Sequence, residues 1–357
     1  MDLYSKYRPK KLADLVGQKH VVATLKKSTE NDRFSHAYIF SGEKGTGKTS
    51  TSRILSCLLN DEVENGDIKD PSSKISKAIF SGAMPDVIEL DGAKHRKVED
   101  IENLLELANF APISAKKKIY IIDECHQLSS TAISALLKIV EEPPSYLTFI
   151  FCTTEFNKIP DTIVSRSQSF RFNKISSEDI FGRLKFISEE ESINIEDDAL
   201  YGISNLSNGS LRDAIGMLQQ IWTAAGDSKI KSQHIYRYFG KNDKNGVVTL
   251  FESILSKNVI ESLSNIAEVH ASNCDFSYLL NNLSELFREC MCYKVDDRIS
   301  IDPEMKKIYD KYINNIDVNV FIRICDIFSK INHDLEYNIN KRWVMESFVI
   351  ECINNID

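Results

Sequence analysis

The segment Gly42–Thr49 constrains this chain most, because its sequence GEKGTGKT matches the phosphate-loop pattern G-x-x-x-x-G-K-[ST]. The apolar run His36–Phe40 before it predicts a buried strand, and Ser50–Leu59 after it predicts a helix. Glycines let successive backbone N–H groups converge on phosphate oxygens, and the helix N-terminus adds a positive dipole end. The alternative, a glycine-rich turn without a ligand, is disfavoured because both flanks fit the strand–loop–helix context.

Side chains in and beyond this loop predict the chemistry of a nucleoside triphosphate site. Lys48 can reach the β- and γ-phosphates as a point charge, and the Thr49 hydroxyl suits Mg²⁺. The third predicted strand ends in two carboxylates, of which Asp123 can hold Mg²⁺ and Glu124 can accept a proton from an attacking water. We interpret the nearby His126 as a polar residue at the edge of the site, since no second metal ligand lies at suitable spacing.

The order of predicted elements favours an α/β fold followed by helices. Apolar runs alternate with helical patterns from residue 36 to residue 172, which predicts a parallel sheet with helices on both faces. Ligands of such sheets bind at the carboxyl ends of the strands, where the glycine loop, Asp123 and Thr154 fall. From Ser177 the pattern is helical, with a polar, glycine-flanked linker predicted at Gly240–Gly246. The expected domains are 1–174, 175–240 and 241–357.

Composition narrows the class of protein further. The 357 residues are 42% hydrophobic and 27% charged, which suits a soluble chain of two or three domains. No apolar run approaches the roughly 20 residues of a membrane helix, and Met1–Lys11 lacks the apolar core of a secretory signal. The eight cysteines form no C-x-x-C pair, which favours buried thiols in a reducing cytoplasm. The net charge of −8 still allows a local basic patch that binds nucleic acid.

Two groups of basic residues have open interpretations. Residues 94–97, with the sequence KHRK, precede a helix predicted at Val98–Asn109 and could contact a phosphate backbone, although composition alone favours a solvated loop. Arg212 falls in the first turn of the helix predicted at Ser210–Ala224, where a cation opposes the helix dipole. Either an outside phosphate or an ion pair with Asp213 or another carboxylate would satisfy it.

Together these stretches resemble the gamma/tau subunits of the bacterial DNA polymerase III clamp loader, which are AAA+ ATPases. The resemblance runs from Tyr7 to about Ala225, and the C-terminal region matches in length and class only. Its motifs are Tyr7-Arg8-Pro9, Val16-Gly17-Gln18, the loop Gly42–Thr49, Val98-Glu99-Asp100, Ile122-Asp123-Glu124-x-His126, Leu136-Leu137-Lys138-x-x-Glu141-Glu142-Pro143-Pro144, Thr153-Thr154, Ser165-Arg166 and Gly209-Ser210-Leu211-Arg212-Asp213-Ala214. It implies an AAA+ P-loop domain with a parallel sheet, a small helical lid and an all-helical collar domain that oligomerises.

The resemblance also implies residue roles. Thr154 and Arg212 take the sensor 1 and sensor 2 positions, and Arg166 is the arginine finger that completes the neighbouring subunit's ATP site. Lys48 and Glu124 complete the catalytic set, and Thr49 and Asp123 hold Mg²⁺. Expected nucleotide contacts are Tyr7, Arg8, Val16, Gly17, Gly42, Glu43, Lys44, Gly45, Thr46, Gly47, Lys48, Thr49, Ser50 and Arg212. Expected contacts to the DNA backbone are Lys94, Arg96, Lys97 and Lys138.

The implied partners are other clamp-loader subunits in a pentameric ring (copies of itself, or delta and delta-prime types), a sliding clamp and primer–template DNA, with no membrane.

The sequence departs from the family pattern at two places. The stretch Asn60–Met84 contains no cysteine where the family usually carries a zinc module, so we predict no zinc. Ser167 replaces the cysteine of the family's Ser-Arg-Cys, while Arg166 is kept. The chain also ends near the third domain, which predicts a short form without the tau-type extension.

Two other functions share the same ATP site. A helicase or branch-migration motor would be expected to carry a winged helix with a β-hairpin and basic residues, and Val247–Asn354 shows neither. A non-hydrolysing clamp-loader scaffold would not need the intact set of Lys48, Thr49, Asp123 and Glu124. The motor subunit of a clamp loader is therefore the leading hypothesis.

Overall fold

The computed structural model describes residues 2–94, 104–226, 228–239, 244–271, 276–296, 298–299, 301–312, 316–337 and 340–356. The chain divides into two compact units, Met1–Lys229 and Ile230–Asp357.

The strands are β1 (Ala37–Gly42), β2 (Val63–Glu64), β3 (Asp67–Ile68), β4 (Val87–Asp91), β5 (Lys118–Asp123), β6 (Leu147–Thr153) and β7 (Gln168–Phe172). The helices of the first unit are α1 (Leu3–Lys6), α2 (Lys19–Glu30), α3 (Lys48–Asn60), α4 (Lys74–Ser81), α5 (described part 104–108), α6 (Ser130–Glu141), α7 (Asp161–Val164), α8 (Ser177–Glu190), α9 (Asp197–Leu206) and α10 (Leu211–Ala225). Those of the second unit are α11 (Ser232–Tyr238), α12 (Lys244–Leu255), α13 (Val259–Ala271), α14 (Phe276–Val295), α15 (Pro303–Tyr312), α16 (Val318–Tyr337) and α17 (Lys341–Asn354).

Five strands form one parallel sheet in the order β4-β5-β6-β1-β7. Its central strands β1, β5 and β6 are mostly apolar and buried along nearly their whole length, as expected for a parallel sheet that is covered on both faces. Side chains that alternate along β1 enter two separate cores, with Tyr38 and Phe40 on one face and Ala37 and Ile39 on the other. The predicted α/β fold with a parallel sheet and flanking helices is thus confirmed.

The acidic, polar stretch Asp61–Pro71 after α3, whose composition predicts an exposed loop or excursion, holds a short hairpin. The hairpin is formed by β2 and β3, and α4 follows the stretch, with Ser73 as a cap that accepts the N–H of Ser76. The Asp67 carboxylate accepts the N–H groups of Leu12 (2.9 Å) and Ala13 (3.1 Å), which joins the hairpin to the N-terminal segment. Strands of two residues are too short for a detectable period, so the pattern could not reveal them.

Helices α8–α10 follow β7 and complete the first unit. Ile180, Leu184 and Ile187 form the buried stripe of α8 at the three- and four-residue spacing of an amphipathic helix. Ser210 caps α10 by accepting the N–H of Asp213 at 3.3 Å. The cap orients the first turn of α10, which carries Arg212.

The elements with ranges given above for the second unit are all helices, and α12, α14, α16 and α17 share one apolar core. Helix α11 lies within the stretch 175–240 that the sequence assigned to the lid, and the bounds of the three domains stay predictions. Among the described helices of both units, none is long and apolar enough to span a bilayer.

Candidate active site

The glycine loop lies at the carboxyl end of β1 and leads directly into α3. Gly45 and Gly47 have φ of +79° and +107°, values that a residue with a Cβ rarely adopts. A Cβ on Gly42 would lie 2.3 Å from the Phe172 carbonyl oxygen, and one on Gly45 would lie 2.0 Å from Ser210 Oγ. These glycines therefore allow both the curl of the loop and its close approach to β7 and to the start of α10.

Lys48 is the buried cation of the site, with 6% of its surface exposed. Its ammonium donates to the carbonyl oxygens of Gly42 (2.7 Å) and Glu43 (2.8 Å) instead of to a carboxylate. Burial lowers the pKa of Lys48, because the charged form is poorly solvated there. An anion with several oxygens would stabilise this cation better than the two carbonyls do.

Thr49, in the first turn of α3, and Asp123, at the end of β5, meet in the cleft, where the Thr49 hydroxyl donates to Asp123 Oδ2 at 2.8 Å. A hydroxyl beside a carboxylate is a donor set that Mg²⁺ accepts, usually with waters and phosphate oxygens completing its shell. Both residues line the cleft, so the pair fits a magnesium ion bound together with a triphosphate.

Glu124 follows β5 in the left-handed conformation (φ 48°), which turns it away from the strand. Its Oε2 accepts from the Thr154 hydroxyl at 3.2 Å, so the two predicted catalytic residues lie together. His126 Nδ1 lies 3.0 Å from Thr153 Oγ1, and its Nε2 lies 3.2 Å from Glu155 Oε1. His126 thus lies at the edge of the site. Within the described residues, no group of three or more His, Cys, Asp or Glu could hold a metal ion.

The cleft itself has an empty volume of about 870 Å³, including space open to solvent. The phosphate loop, the N-terminal segment and helices α8 and α10 contribute its walls. Among the predicted nucleotide contacts, the lining residues are Tyr7, Arg8, Val16, Lys44, Gly45, Thr46, Gly47, Lys48, Thr49, Ser50 and Arg212, and Asp123 and Glu124 line it as well. The remaining predicted contacts, Gly17, Gly42 and Glu43, lie beside the lining instead of in it.

Arginines give the cleft a positive wall. Arg8 donates to Ser50 Oγ at 3.1 Å, and burial together with nearby Arg53 lowers its pKa. Arg183 donates to the Tyr7 carbonyl oxygen at 3.1 Å from helix α8. Arg212 forms no ion pair within 4 Å in the described part of the chain, and the predicted alternative of a salt bridge to Asp213 is not seen there. These guanidinium groups favour a polyanion in the cleft.

Gln18 connects the phosphate loop to the start of the lid. It is fully buried, and its amide donates to the carbonyl oxygens of Asn173 (2.8 Å) and Thr46 (3.4 Å). Its Oε1 accepts the N–H of Asn173 at 3.2 Å. Lys174 Nζ lies 3.3 Å from Glu43 Oε1. The segment that leads from β7 into α8 is therefore fixed to the loop.

Several predicted site residues lie elsewhere. Arg166 does not line the cleft; it pairs with Glu141 at 2.9 Å. Lys138 is exposed on α6, and Lys94 lies 3.6 Å from Asp91. His95, Arg96 and Lys97 lie outside the described residues, so their predicted contact to DNA has no structural account here.

The residues Tyr4, Arg183 and Gln18, whose contacts are described here, were not predicted as site residues. Tyr4 and Arg183 both line the cleft, and Gln18 joins the loop to residue 173. Tyr4 lies in a helix of four residues and Arg183 on an ordinary amphipathic helix, so neither carried a signal. Gln18 stood inside a family motif, and that position was the available signal.

The chain is also similar to known proteins in sequence and in fold. Three family profiles match in succession: DNA polymerase III delta subunit (residues 17–176), the ATPase lid domain of DNA polymerase III clamp loader subunits (179–226), and domain III of DNA polymerase III subunits gamma and tau (230–356). Solved structures of Thermotoga maritima RuvB are similar in fold alone. One of them, a point mutant, has a TM-score of 0.51 and 17% identity over 78% of this chain and 91% of that one.

Curated relatives include DNA polymerase III subunit tau of Bacillus subtilis, 33% identical over 98% of this chain and 62% of the relative. The gamma/tau subunit of Mycoplasma genitalium is 36% identical over 87% of this chain and 52% of the relative. The gamma subunit of Buchnera aphidicola from Acyrthosiphon pisum is 33% identical over 94% and 91%. The chain spans about half to two thirds of the length of the first two relatives. It belongs to the gamma/tau family of DNA polymerase III clamp-loader subunits, whose fold is that of the AAA+ ATPases.

Proposed function

We propose that this chain is an ATP-hydrolysing motor subunit of a sliding-clamp loader. The observation that carries the proposal is the division of the arginines. Arg8, Arg183 and Arg212 line the cleft around the phosphate loop, whereas Arg166 pairs with Glu141 outside it. The cleft contains the cation Lys48 and the carboxylates Asp123 and Glu124, but the predicted arginine finger lies outside it. A site shared between neighbouring subunits requires this arrangement.

The residues of the cleft divide the work of binding and hydrolysis. The loop N–H groups and Lys48 hold the β- and γ-phosphates, while Thr49 and Asp123 hold Mg²⁺. Magnesium held by these two residues would neutralise charge that develops during phosphoryl transfer. Glu124, which Thr154 holds by the 3.2 Å hydrogen bond, accepts a proton from the attacking water. Arg212 meets the γ-phosphate from the lid.

Arg166 serves the ATP site of a neighbouring subunit. Its side chain is 38% exposed, so another subunit can reach it. A planar guanidinium suits the γ-phosphate because its fork can neutralise charge spread over several oxygens. Arg166 belongs to the first unit, which also holds the nucleotide, so docking of two first units would bring one subunit's finger to the next subunit's cleft.

The partners of this chain are those that the family implies. Other clamp-loader subunits complete a pentameric ring with this chain, and the ring holds a sliding clamp and primer–template DNA. Exposed Lys138 on α6 and Lys94 after β4 contact the DNA backbone, with Arg96 and Lys97. ATP binding orders the ring and opens the clamp, and DNA-stimulated hydrolysis releases the clamp on DNA. The chain acts in the cytoplasm and needs no zinc.

A branch-migration motor is less well supported. The similarity to RuvB is one of fold, at 17% identity. The described residues of 230–356 form helices and contribute no strand, and this region matches the gamma and tau domain III profile. A scaffold that does not hydrolyse ATP is also less well supported, since Lys48, Thr49, Asp123 and Glu124 all face one cleft.

The test is ATP turnover of the full chain, assembled with its clamp-loader partners, with and without sliding clamp and primed DNA. Lys48→Ala and Arg166→Ala are each expected to abolish the DNA-stimulated rate. If this chain occupies adjacent positions, a mixture of the two variants should recover part of the rate, because a Lys48→Ala subunit still offers Arg166 to an intact cleft. Stimulated turnover that survives in either single variant would refute the shared site.

A further inference from the structure

The N-terminal segment Asp2–Arg8 connects the lid to the phosphate-loop helix. Leu3 is buried, and its N–H donates to Gln219 Oε1 on α10 at 2.8 Å. The Tyr7 hydroxyl donates to Glu191 Oε1, just after α8, at 2.5 Å. Together with the bond from Arg8 to α3, these contacts fix the segment at three points. Tyr4 lies between them and is half-buried against the cleft.

The ring of Tyr4 contacts two of the arginines that line the cleft. The guanidinium carbon of Arg212 lies 5.1 Å from the ring centroid, and that of Arg8 lies 6.0 Å from it. Both distances are within the range of cation–π attraction. A Cβ on Gly45 would lie 3.3 Å from Arg212 Cβ, so the stem of Arg212 rests beside the phosphate loop.

Arg212 needs a group that fixes its guanidinium. It is exposed, and in the described part of the chain no carboxylate pairs with it within 4 Å. Its place in the first turn of α10 sets it against the positive end of the helix dipole. A long side chain with many rotamers would leave the loop unless another group restricted it. The ring of Tyr4 is placed to restrict it.

We propose that Tyr4 is a positioning residue whose ring holds the Arg212 guanidinium beside the phosphate loop, ready for the γ-phosphate of ATP. This inference rests on the proposed function, in which Arg212 meets the nucleotide. The aromatic face carries the effect, so the Tyr4 hydroxyl is dispensable. Tyr4 acts through Arg212 and requires no contact of its own with the γ-phosphate.

A double-mutant cycle in the full chain tests this. The variants are Tyr4→Leu, Tyr4→Phe, Arg212→Ala and the combination of Tyr4→Leu with Arg212→Ala. The probes are the magnesium complexes of ATPγS and ADP, with dissociation constants from calorimetry. Tyr4→Leu should weaken ATPγS binding by about 3- to 30-fold, with a smaller effect on ADP. Tyr4→Phe should stay within about twofold of wild type, and Tyr4→Leu should add nothing once Arg212 is gone.

A second measurement separates the ring's electrostatics from its packing. Pentafluorophenylalanine at position 4 keeps the shape of phenylalanine but reverses the charge distribution of the ring face. It should weaken ATPγS binding as Tyr4→Leu does, while thermal unfolding stays at the value of Tyr4→Phe. Binding equal to that of Tyr4→Phe would overturn the inference, even if Tyr4→Leu failed to fold.

The outcomes also distinguish this inference from the proposed function. Equal losses from Tyr4→Leu in the wild-type and Arg212→Ala backgrounds would mean that Tyr4 acts independently, which overturns the positioning role alone. If Arg212→Ala changed neither ATPγS binding nor turnover, the proposed role of Arg212 itself would fail. No binding of ATPγS to the wild-type chain would overturn the proposed function as a whole.

Discussion

Glu141 and Arg166 form an ion pair, with Oε1 and Nη2 2.9 Å apart, on a part of the first unit that does not line the cleft. Arg166 Nη1 also donates to the Thr162 carbonyl oxygen at 3.1 Å. The Arg166 side chain is 38% exposed and the Glu141 side chain 46% exposed. Exposed ion pairs of this kind contribute at most about 1 kcal/mol to stability. Arg166 can therefore exchange Glu141 for a phosphate of a neighbouring subunit at small cost.

Replacement of this arginine should affect turnover and spare binding. In the assembled loader we expect Arg166→Ala to lower the DNA-stimulated rate by about 10³–10⁵-fold, the range for loss of an arginine finger. Its own cleft remains intact, so the dissociation constant for ATPγS should not change. Arg171→Ala, which removes another exposed arginine of the first unit, is the matched control and should keep the rate. An equal loss in both variants would contradict a specific role.

Lys138 lies one turn before Glu141 on α6, and it is exposed. If it contacts the DNA backbone, Lys138→Ala should weaken binding of primed DNA at every sequence and reduce the salt slope of log K by about 1. The control is Lys77→Ala, an exposed lysine on α4. Anisotropy measurements of DNA binding between about 50 and 200 mM salt give the salt slope of each variant. Identical slopes for wild type and Lys138→Ala would show that Lys138 does not contact the DNA backbone.

The sequence was sufficient for the fold because long buried strands and amphipathic helices have clear periods. The loop Gly42–Thr49 and Asp123 could be placed at one sheet edge from the parallel topology alone. Tyr4 and Arg183 were not accessible, because their places in the cleft depend on contacts far apart in the chain. The hairpin β2–β3 was not accessible, because strands of two residues have no detectable period. The 216 residues that separate Leu3 from its partner Gln219 leave no local pattern.

The lowered pKa of Lys48 predicts a pH dependence of nucleotide binding. Burial moves the pKa below 10.5, and an anion binds the charged form. Affinity for ATPγS should therefore be full at pH values below the lowered pKa and fall as pH rises through it. In Lys48→Arg the cation persists above pH 10, since guanidinium stays charged to about pH 12, so the alkaline fall should disappear. Calorimetric titration with ATPγS between about pH 7 and pH 10.5 measures the affinity profile of wild type and of Lys48→Arg. Profiles that coincide would contradict this prediction.

Gly45 and Gly182 offer a matched pair of glycine substitutions. Gly45→Ala would place a Cβ 2.0 Å from Ser210 Oγ at a φ of +79°, so it should destabilise the first unit by about 2–3 kcal/mol through strain and a disturbed cap. It should also weaken ATPγS binding. Gly182→Ala meets nothing within 4 Å in a helix, and should stabilise by up to about 1 kcal/mol. Urea unfolding measures both. A stable Gly45→Ala with normal binding would mean that the loop and the lid need not approach this closely.

The Asp86 side chain should contribute strongly to holding the loop before β5 in its conformation. It is 1% exposed, and its carboxylate accepts the N–H groups of Ile113 (2.8 Å), Ser114 (2.6 Å) and Ala115 (2.9 Å). Asp86→Ala leaves these donors without their acceptor, so the free energy of unfolding of the first unit should fall by about 2–4 kcal/mol. Asp326→Ala, at an exposed position on α16, should change stability by less than about 0.5 kcal/mol. Calorimetric unfolding of both variants gives the comparison. If Asp86→Ala unfolded like wild type, water would be replacing the carboxylate, and the loop would not depend on it.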